Sequence, residues 1–191
     1  PMDIIHPGIE KTVTMLASSR EASMEAAEAI MTTDTFSKEI AVTFSLGDKI
    51  VTIAGMAKGS GMIHPNMATM LSFITMDLNI SGELLQKALS ESIVDSYNMI
   101  SVDGDTSTND MVLVLANGAA GNDIIDKENR EYEIFKKVFN YVNTYLAQQI
   151  VRDGEGAGKF LEVSVKGAKT KEDARILSKS IITSNLVKTA F

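Results

Sequence analysis

The spacing of apolar and polar positions predicts four helical regions along the chain. Residues 7–31 carry an apolar stripe followed by an alanine- and glutamate-rich stretch, which favours one or two helices. Residues 85–97 and 135–150 repeat apolar side chains at three- and four-residue intervals, the pattern of amphipathic helices. Residues 172–187 also have a helical pattern. The longest of these helices is expected to end at Asp153 and the glycine that follows it.

Strands are predicted between these helices. Residues 38–45 and 49–54 alternate between apolar and polar positions around a turn that contains glycine, which indicates a hairpin. Residues 69–76 and 111–116 are short apolar runs typical of buried strands, and residues 159–166 alternate again. Hairpins mixed with helical crossovers predict an α/β fold of the mixed α+β kind, with helices layered on a sheet.

Composition restricts the classes of function. With 45% apolar and 23% charged residues in 191, the chain has an ordinary globular composition, and its net charge of −7 argues against a nucleic-acid partner. It has no cysteine, which excludes disulfides and thiolate chemistry, and its two histidines, His6 and His64, offer little for a metal cluster. No apolar run approaches the ~20 residues of a membrane span. We therefore expect a cytoplasmic enzyme that uses neither a membrane nor a metal.

The segment with the most distinctive chemistry is a glycine-rich loop that leads to an Ala68–Thr69 bond at the start of an apolar strand. Flexible residues such as Gly59 and Gly61 let the backbone strain, so that the Thr69 hydroxyl can reach the carbonyl of Ala68. If that bond breaks, Thr69 carries both a hydroxyl and a free α-amine with a pKa of about 7.7–8.0. Nucleophile and general base then lie on one residue, without any histidine.

Four stretches of sequence in the same order resemble the ornithine acetyltransferase (bifunctional glutamate N-acetyltransferase) family. They are residues 27–34 (AEAIMTTD), residues 56–71 (MAKGSGMIHPNMATML), residues 103–110 (DGDTSTND) and residues 152–159 (RDGEGAGK). The resemblance covers nearly the whole chain. Members of that family cleave themselves between an alanine and a threonine and use the liberated threonine as nucleophile.

The resemblance implies an activity and a set of site residues. Cleavage would separate Ala68 from Thr69, and Thr69 would then carry acetyl from N-acetylornithine to glutamate in arginine biosynthesis. Some members also use acetyl-CoA as acetyl donor, and none of these steps needs a metal or a bound cofactor. The matching positions for substrate binding are Thr32, Lys58 and Glu155, together with Thr69. The Lys58 ammonium would pair with a substrate carboxylate, and the Glu155 carboxylate would pair with the ornithine amine.

One position departs from the family pattern, because Gly158 stands where the family commonly has threonine. The missing hydroxyl puts the fine geometry around Glu155 in question.

The resemblance also implies an architecture, an α-β-β-α sandwich of the N-terminal-nucleophile type with a smaller second α/β domain. On this basis residues 1–68 would end the α chain before the cleavage site, residues 69–153 would belong to the β chain of the sandwich, and residues 154–191 would begin a truncated second domain. Family members are about twice as long, so we expect a central fragment. The threonine–glycine pair of the oxyanion hole would lie outside it, and the remaining α- and β-chain segments would be partners in an α2β2 heterotetramer.

Two other functions remain open at this point. A related N-terminal-nucleophile amidase or aminopeptidase would use the same Thr69 with water as final acceptor, and a truncated inactive fragment would only pack with a partner chain. Residues 103–110 do not form an EF-hand, since Thr108 and Val114 stand where that loop needs glycine and glutamate. They are expected to form a side-chain-stabilised turn. His64 lies beside the predicted cleavage site and could assist a proton transfer there, but an ordinary loop residue is the favoured interpretation.

Overall fold

The computed structural model describes residues 1–64 and 70–191, and at its centre lies a four-stranded mixed sheet. The strands follow one another across the sheet in chain order: β1 (Lys38–Leu46), β2 (Lys49–Lys58), β3 (Leu71–Met76) and β4 (Met111–Ala116). The first three strands are antiparallel neighbours, whereas β3 and β4 run parallel.

Two connections explain this topology. Strands β1 and β2 are joined by a two-residue turn in which Gly47 adopts a φ of 59°, a conformation that glycine reaches without strain. Parallel strands need a crossover, and the chain between β3 and β4 supplies it with a helix, Gly82–Asp95. Both predicted features, the hairpin and the helical crossover, are confirmed.

Six α-helices and one short 3-10 turn complete the described part of the chain. They are α1 (Met2–Val13), α2 (Arg20–Ala29), α3 (Gly82–Asp95), the 3-10 turn Tyr97–Met99, α4 (Arg130–Arg152), α5 (Lys171–Ile182) and α6 (Asn185–Ala190). Five of the helices begin at a side chain that accepts a hydrogen bond from a backbone N–H of the first turn: Ser19, Ser81, Asn129, Thr170 and Ser184. Such caps fix where helices start.

The core lies between the sheet and α4, which packs on β1 and β2 with α3 beside it. The stripe predicted for this helix is confirmed: Phe135, Phe139, Val142, Leu146 and Ile150 are fully buried. Close approach of the helix depends on glycine at position 55, where a Cβ would lie 3.0 Å from Leu146.

The opposite face of the sheet is open. Met111, Leu113 and Leu115 in β4 are 40%, 41% and 58% exposed, and Ile50 in β2 is 59% exposed. The strand at residues 111–116 is therefore not buried on both faces, which corrects the prediction: the described helices α3 and α4 cover one face, and the other is exposed.

Helix α1 is also exposed, with no buried residue.

The mixed α/β class is confirmed, with two corrections to its details. Residues 159–166 form no strand, since no neighbouring strand in the described chain pairs with their backbone. The helix predicted over residues 172–187 is two helices, because Ser184 caps a new one. One sheet and its helical layer account for half of the predicted sandwich, and the second sheet and the domain boundaries stay predictions. None of the described helices is both long and apolar enough to span a membrane.

Candidate active site

Four loops at one end of the sheet line a cleft of about 390 Å³, here called the loop cleft. It brings together three residues that the sequence marks for substrate binding: Thr32, Lys58 and Glu155. The other residues around it are Thr33, Gly59, Ser60, Gly61, Met62, Asp103 and Asp105. Positions that are more than 120 residues apart in the chain therefore meet in one cleft.

Lys58 is the cationic side of the loop cleft. It ends β2, lies opposite Leu71 in the sheet register, and is only 8% exposed. Its ammonium donates a long hydrogen bond of 3.5 Å to the Thr32 hydroxyl. An ammonium carries three donors, so a ligand carboxylate in the cleft has a buried cation to bind.

Two hydroxyls that the sequence analysis did not single out join the loops of the cleft. The Thr33 and Ser60 side-chain oxygens lie 2.7 Å apart, and Ser60 is almost fully buried. A hydrogen bond between these oxygens fixes the loop before β1 against the glycine-rich loop after β2. The sequence signal for this pair of hydroxyls is their position: Thr33 follows Thr32, and Ser60 lies two residues after Lys58.

Glu155 is the anionic side of the cleft. Its backbone N–H donates to the Ser60 carbonyl at 3.0 Å, which holds the loop after α4 against the glycine-rich loop. Its carboxylate lies against Gly61 so closely that a Cβ there would be 2.5 Å from the carboxyl carbon. The absence of a side chain at position 61 is therefore what admits Glu155 to this place.

The acidic motif at residues 103–110 is a turn that braces the glycine-rich loop. The Asp103 carboxylate accepts hydrogen bonds from the backbone N–H groups of Met62, Ile63 and Asp105. Met62 has a φ of 57°, an uncommon conformation for a non-glycine residue. The predicted side-chain-stabilised turn is confirmed, and it fixes the chain just before the predicted cleavage site.

Ala68 and Thr69 themselves lie outside the described residues. The chain is described again from Met70, whose N–H donates to the Asp110 carboxylate at 3.0 Å. Burial raises the pKa of Asp110 against the opposing effect of that hydrogen bond. His64 Nδ1 lies 3.2 Å from the Ser101 hydroxyl.

Behind the cleft lies a buried ionic cluster that sequence reasoning missed, made by Asp34, Lys38 and Asp153. The Lys38 ammonium lies 2.6 Å from the Asp34 carboxylate and 2.5 Å from that of Asp153. Burial alone would raise the pKa of Asp34, but hydrogen bonds from the Gly59 amide and Lys38 outweigh it and lower that pKa. The pKa of Asp153 is lowered for a similar reason, with Lys38 and Thr35 as donors that outweigh burial. Both carboxyls are therefore ionised at neutral pH.

Comparison with known proteins finds a matching family and several relatives. The sequence model of the ArgJ family matches residues 1–191. The arginine biosynthesis bifunctional protein ArgJ 1 of Clostridium acetobutylicum is 58% identical over 190 residues, which is 100% of this chain and 46% of that protein. The arginine biosynthesis bifunctional protein ArgJ of Listeria monocytogenes is 52% identical over 190 residues, which is 100% of this chain and 47% of that protein. The chain thus spans about half the length of the curated relatives it matches.

A solved structure is also similar. The crystal structure of the arginine biosynthesis bifunctional protein ArgJ from Bacillus halodurans superposes with a TM-score of 0.58 at 46% identity. The match covers 60% of this chain and 54% of that one.

Proposed function

The chain belongs to the ArgJ family, and from this premise we propose that it carries the cleavage site and part of the substrate site of a self-processing N-acetyltransferase. The reaction moves acetyl from N-acetylornithine to glutamate. One observation carries the proposal: Thr32, Lys58 and Glu155 line a single cleft beside the strand that follows Thr69. A random set of matched motifs has no reason to converge in this way.

In the first step of the proposed mechanism the enzyme processes itself. The Thr69 hydroxyl attacks the carbonyl carbon of Ala68, and the peptide C–N bond gives way to an ester between the two residues. Water hydrolyses the ester, leaving a carboxylate on Ala68 and a free α-amine on Thr69. The amine then acts as the base that activates its own hydroxyl.

In the second step Thr69 carries the acetyl group. Its hydroxyl attacks the acetyl carbonyl of N-acetylornithine, the α-amine passes the proton to the departing ornithine nitrogen, and an acetyl-threonine ester remains. The glutamate amine attacks that ester and regenerates the hydroxyl. Acetyl-CoA is an alternative donor for the same ester. Lys58 binds the substrate carboxylate and Glu155 the second amine of ornithine, which selects amino acids that carry both groups.

The proposal includes a partner for the open face of the sheet. Apolar residues exposed along β4 form the kind of surface that marks an interaction site. We infer that segments outside these 191 residues supply a second sheet over it, completing the sandwich, and that the two products of cleavage assemble as an α2β2 heterotetramer. The compartment proposed for the enzyme is the cytoplasm.

Acetyl transfer by the complete protein that contains this chain tests the proposal. Purified protein is incubated with N-acetylornithine, with and without glutamate, and the products are separated by mass. We expect N-acetylglutamate and ornithine to form together in equal amounts, with little free acetate.

Three outcomes would contradict the proposal in different ways. Free acetate and ornithine produced at full rate without glutamate would identify an amidase. Release of amino acids from peptides would identify an aminopeptidase. No turnover of any of these substrates by folded, cleaved protein would identify an inactive scaffold.

A substitution at Gly61 tests the role given to Glu155. In Gly61→Ala the new methyl group displaces the Glu155 carboxylate, which is the end of a flexible side chain and can move without unfolding the loop. We expect KM for N-acetylornithine to rise by about 10-fold, as for a lost charged hydrogen bond, with the melting temperature nearly unchanged. The matched control is Gly82→Ala, where a Cβ meets nothing within 4 Å.

A second acetyl donor shows whether the effect of Gly61→Ala depends on the ornithine amine. N-acetylnorvaline has the same carbon skeleton as N-acetylornithine but lacks the second amine, so Gly61→Ala should turn it over as well as wild type does. An equal loss with both donors would show that the methyl group disturbs the loop in general, and that Glu155 does not bind the amine.

A further inference from the structure

The cluster of Asp34, Lys38 and Asp153 lies where three chain segments meet. Lys38 opens β1 and is 1% exposed, with its ammonium between the two carboxylates. Asp34 belongs to the loop that precedes β1, and Asp153 caps the C-terminus of α4. The cluster therefore joins a strand, a loop and a helix end from within the protein.

Each carboxylate of the cluster also holds the backbone of a loop that lines the loop cleft. Asp34 accepts hydrogen bonds from the Gly59 amide at 2.7 Å and from the Thr32 amide at 3.1 Å. The Thr32 amide belongs to the residue whose hydroxyl accepts from the Lys58 ammonium, and the Gly59 amide belongs to the residue that follows Lys58. Asp34 thus fixes the spacing of the cationic side of the cleft.

Asp153 lies next to the loop that carries Glu155, the anionic side of the cleft. Its carboxylate accepts hydrogen bonds from the backbone N–H and the hydroxyl of Thr35, and it lies two residues before Glu155. A carboxylate at a helix C-terminus is unfavourable because the helix dipole is negative there. Lys38 offsets this repulsion, so the position of Asp153 depends on the lysine.

We propose that Lys38 is a positioning residue for the loop cleft: by binding Asp34 and Asp153 together, it sets the distance between the Thr32–Lys58 side and the Glu155 side. The inference rests on the proposed function, since it assigns those two sides to substrate carboxylate and amine. The further hydrogen-bond donors to the two carboxylates, the Gly59 amide and the Thr35 hydroxyl, belong to loops of the cleft, so the cluster connects those loops as well as its own charges. A buried ion pair is also a weak source of stability, because desolvation offsets most of its attraction.

Two variants of the complete protein test the inference, with amide hydrogen exchange and steady-state kinetics as readouts. Lys38→Met removes the cation at similar length. We expect the Gly59 and Thr32 amides to exchange about 10-fold faster or more, and kcat/KM for acetyl transfer to fall by about 10- to 100-fold, the scale of a small misplacement of binding groups. The Ile74 amide in the central strand β3 should keep its protection.

Asp153→Asn is the second variant, because Lys38→Met leaves two buried carboxylates without a cation and can fail to fold. Asp153→Asn keeps the ion pair between Lys38 and Asp34, and its amide oxygen can still accept a hydrogen bond from Thr35. We expect faster exchange at the Glu155 amide and a raised KM for N-acetylornithine, while the Gly59 amide keeps its protection. Lys136→Met, which removes a partly exposed ion pair with Glu91 near the N-terminal end of α4, is the control for loss of a lysine.

The readouts separate this inference from the proposed function. If folded variants show wild-type exchange at Gly59 and Glu155 with unchanged kcat and KM, Lys38 only stabilises the fold and the inference is overturned. If wild type transfers no acetyl group, the proposed function fails. The exchange pattern alone then decides whether Lys38 positions the two loops.

Discussion

Replacing Thr69 with alanine in the complete protein should leave the Ala68–Thr69 bond intact and abolish acetyl transfer. Alanine has no hydroxyl to attack the neighbouring carbonyl, so the α-amine that serves as base is never released. Both the nucleophile and the base are lost in one substitution, and we expect kcat/KM to fall by roughly 10⁴-fold or more, as when an essential nucleophile is removed. Denatured intact mass measures cleavage, and the glutamate acetylation assay measures transfer.

Thr69→Ser is the matched control because serine keeps the hydroxyl. It should cleave and transfer acetyl at a reduced rate, with a new N-terminus at residue 69. Cleavage of the alanine variant at the same bond would place the nucleophile elsewhere. An uncut but fully active alanine variant would remove Thr69 from the acetyl-transfer mechanism as well.

The sequence predicted the fold wherever a local pattern decides the structure. The hairpin of β1 and β2 follows from alternation around Gly47, and the long helix α4 follows from its apolar stripe. Two of the predictions that failed depended on what packs against the strands from outside the local segment, whereas the single helix predicted over residues 172–187 failed because Ser184 caps a new helix. The run at residues 111–116 is apolar on both faces, but periodicity alone does not show that one face stays open. The alternation at residues 159–166 does not show whether a neighbouring strand exists.

The candidate site was predictable only as separate motifs. Thr32, Lys58 and Glu155 stood out because each belongs to a stretch that resembles the family, and the structure then placed them in one cleft. Lys38 and Asp153 gave no such signal. A lysine at the start of a strand is ordinarily exposed, so its burial between two carboxylates follows from tertiary packing that no local pattern encodes.

Replacing Lys58 with methionine should weaken substrate binding while leaving the protein folded. Methionine fills much of the same space at the end of β2. Within the described residues, the substitution gives up one hydrogen bond, of 3.5 Å to the Thr32 hydroxyl. A charged hydrogen bond to a substrate carboxylate is worth about 1.5–3 kcal/mol. We therefore expect kcat/KM for N-acetylornithine to fall by about 10- to 100-fold, mainly through KM.

The control for this variant is Lys49→Met at the other end of the same strand. Lys49 contacts Asp48 on the surface at 3.3 Å, with 43% of its side chain exposed, and its loss should leave KM unchanged. N-acetylputrescine, which is N-acetylornithine without its carboxylate, gives the decisive comparison. If Lys58 binds that carboxylate, wild type and Lys58→Met should turn over N-acetylputrescine equally poorly. A Lys58→Met defect that persists undiminished with this donor would mean that the ammonium acts on the acetyl group or the loop and not on the carboxylate.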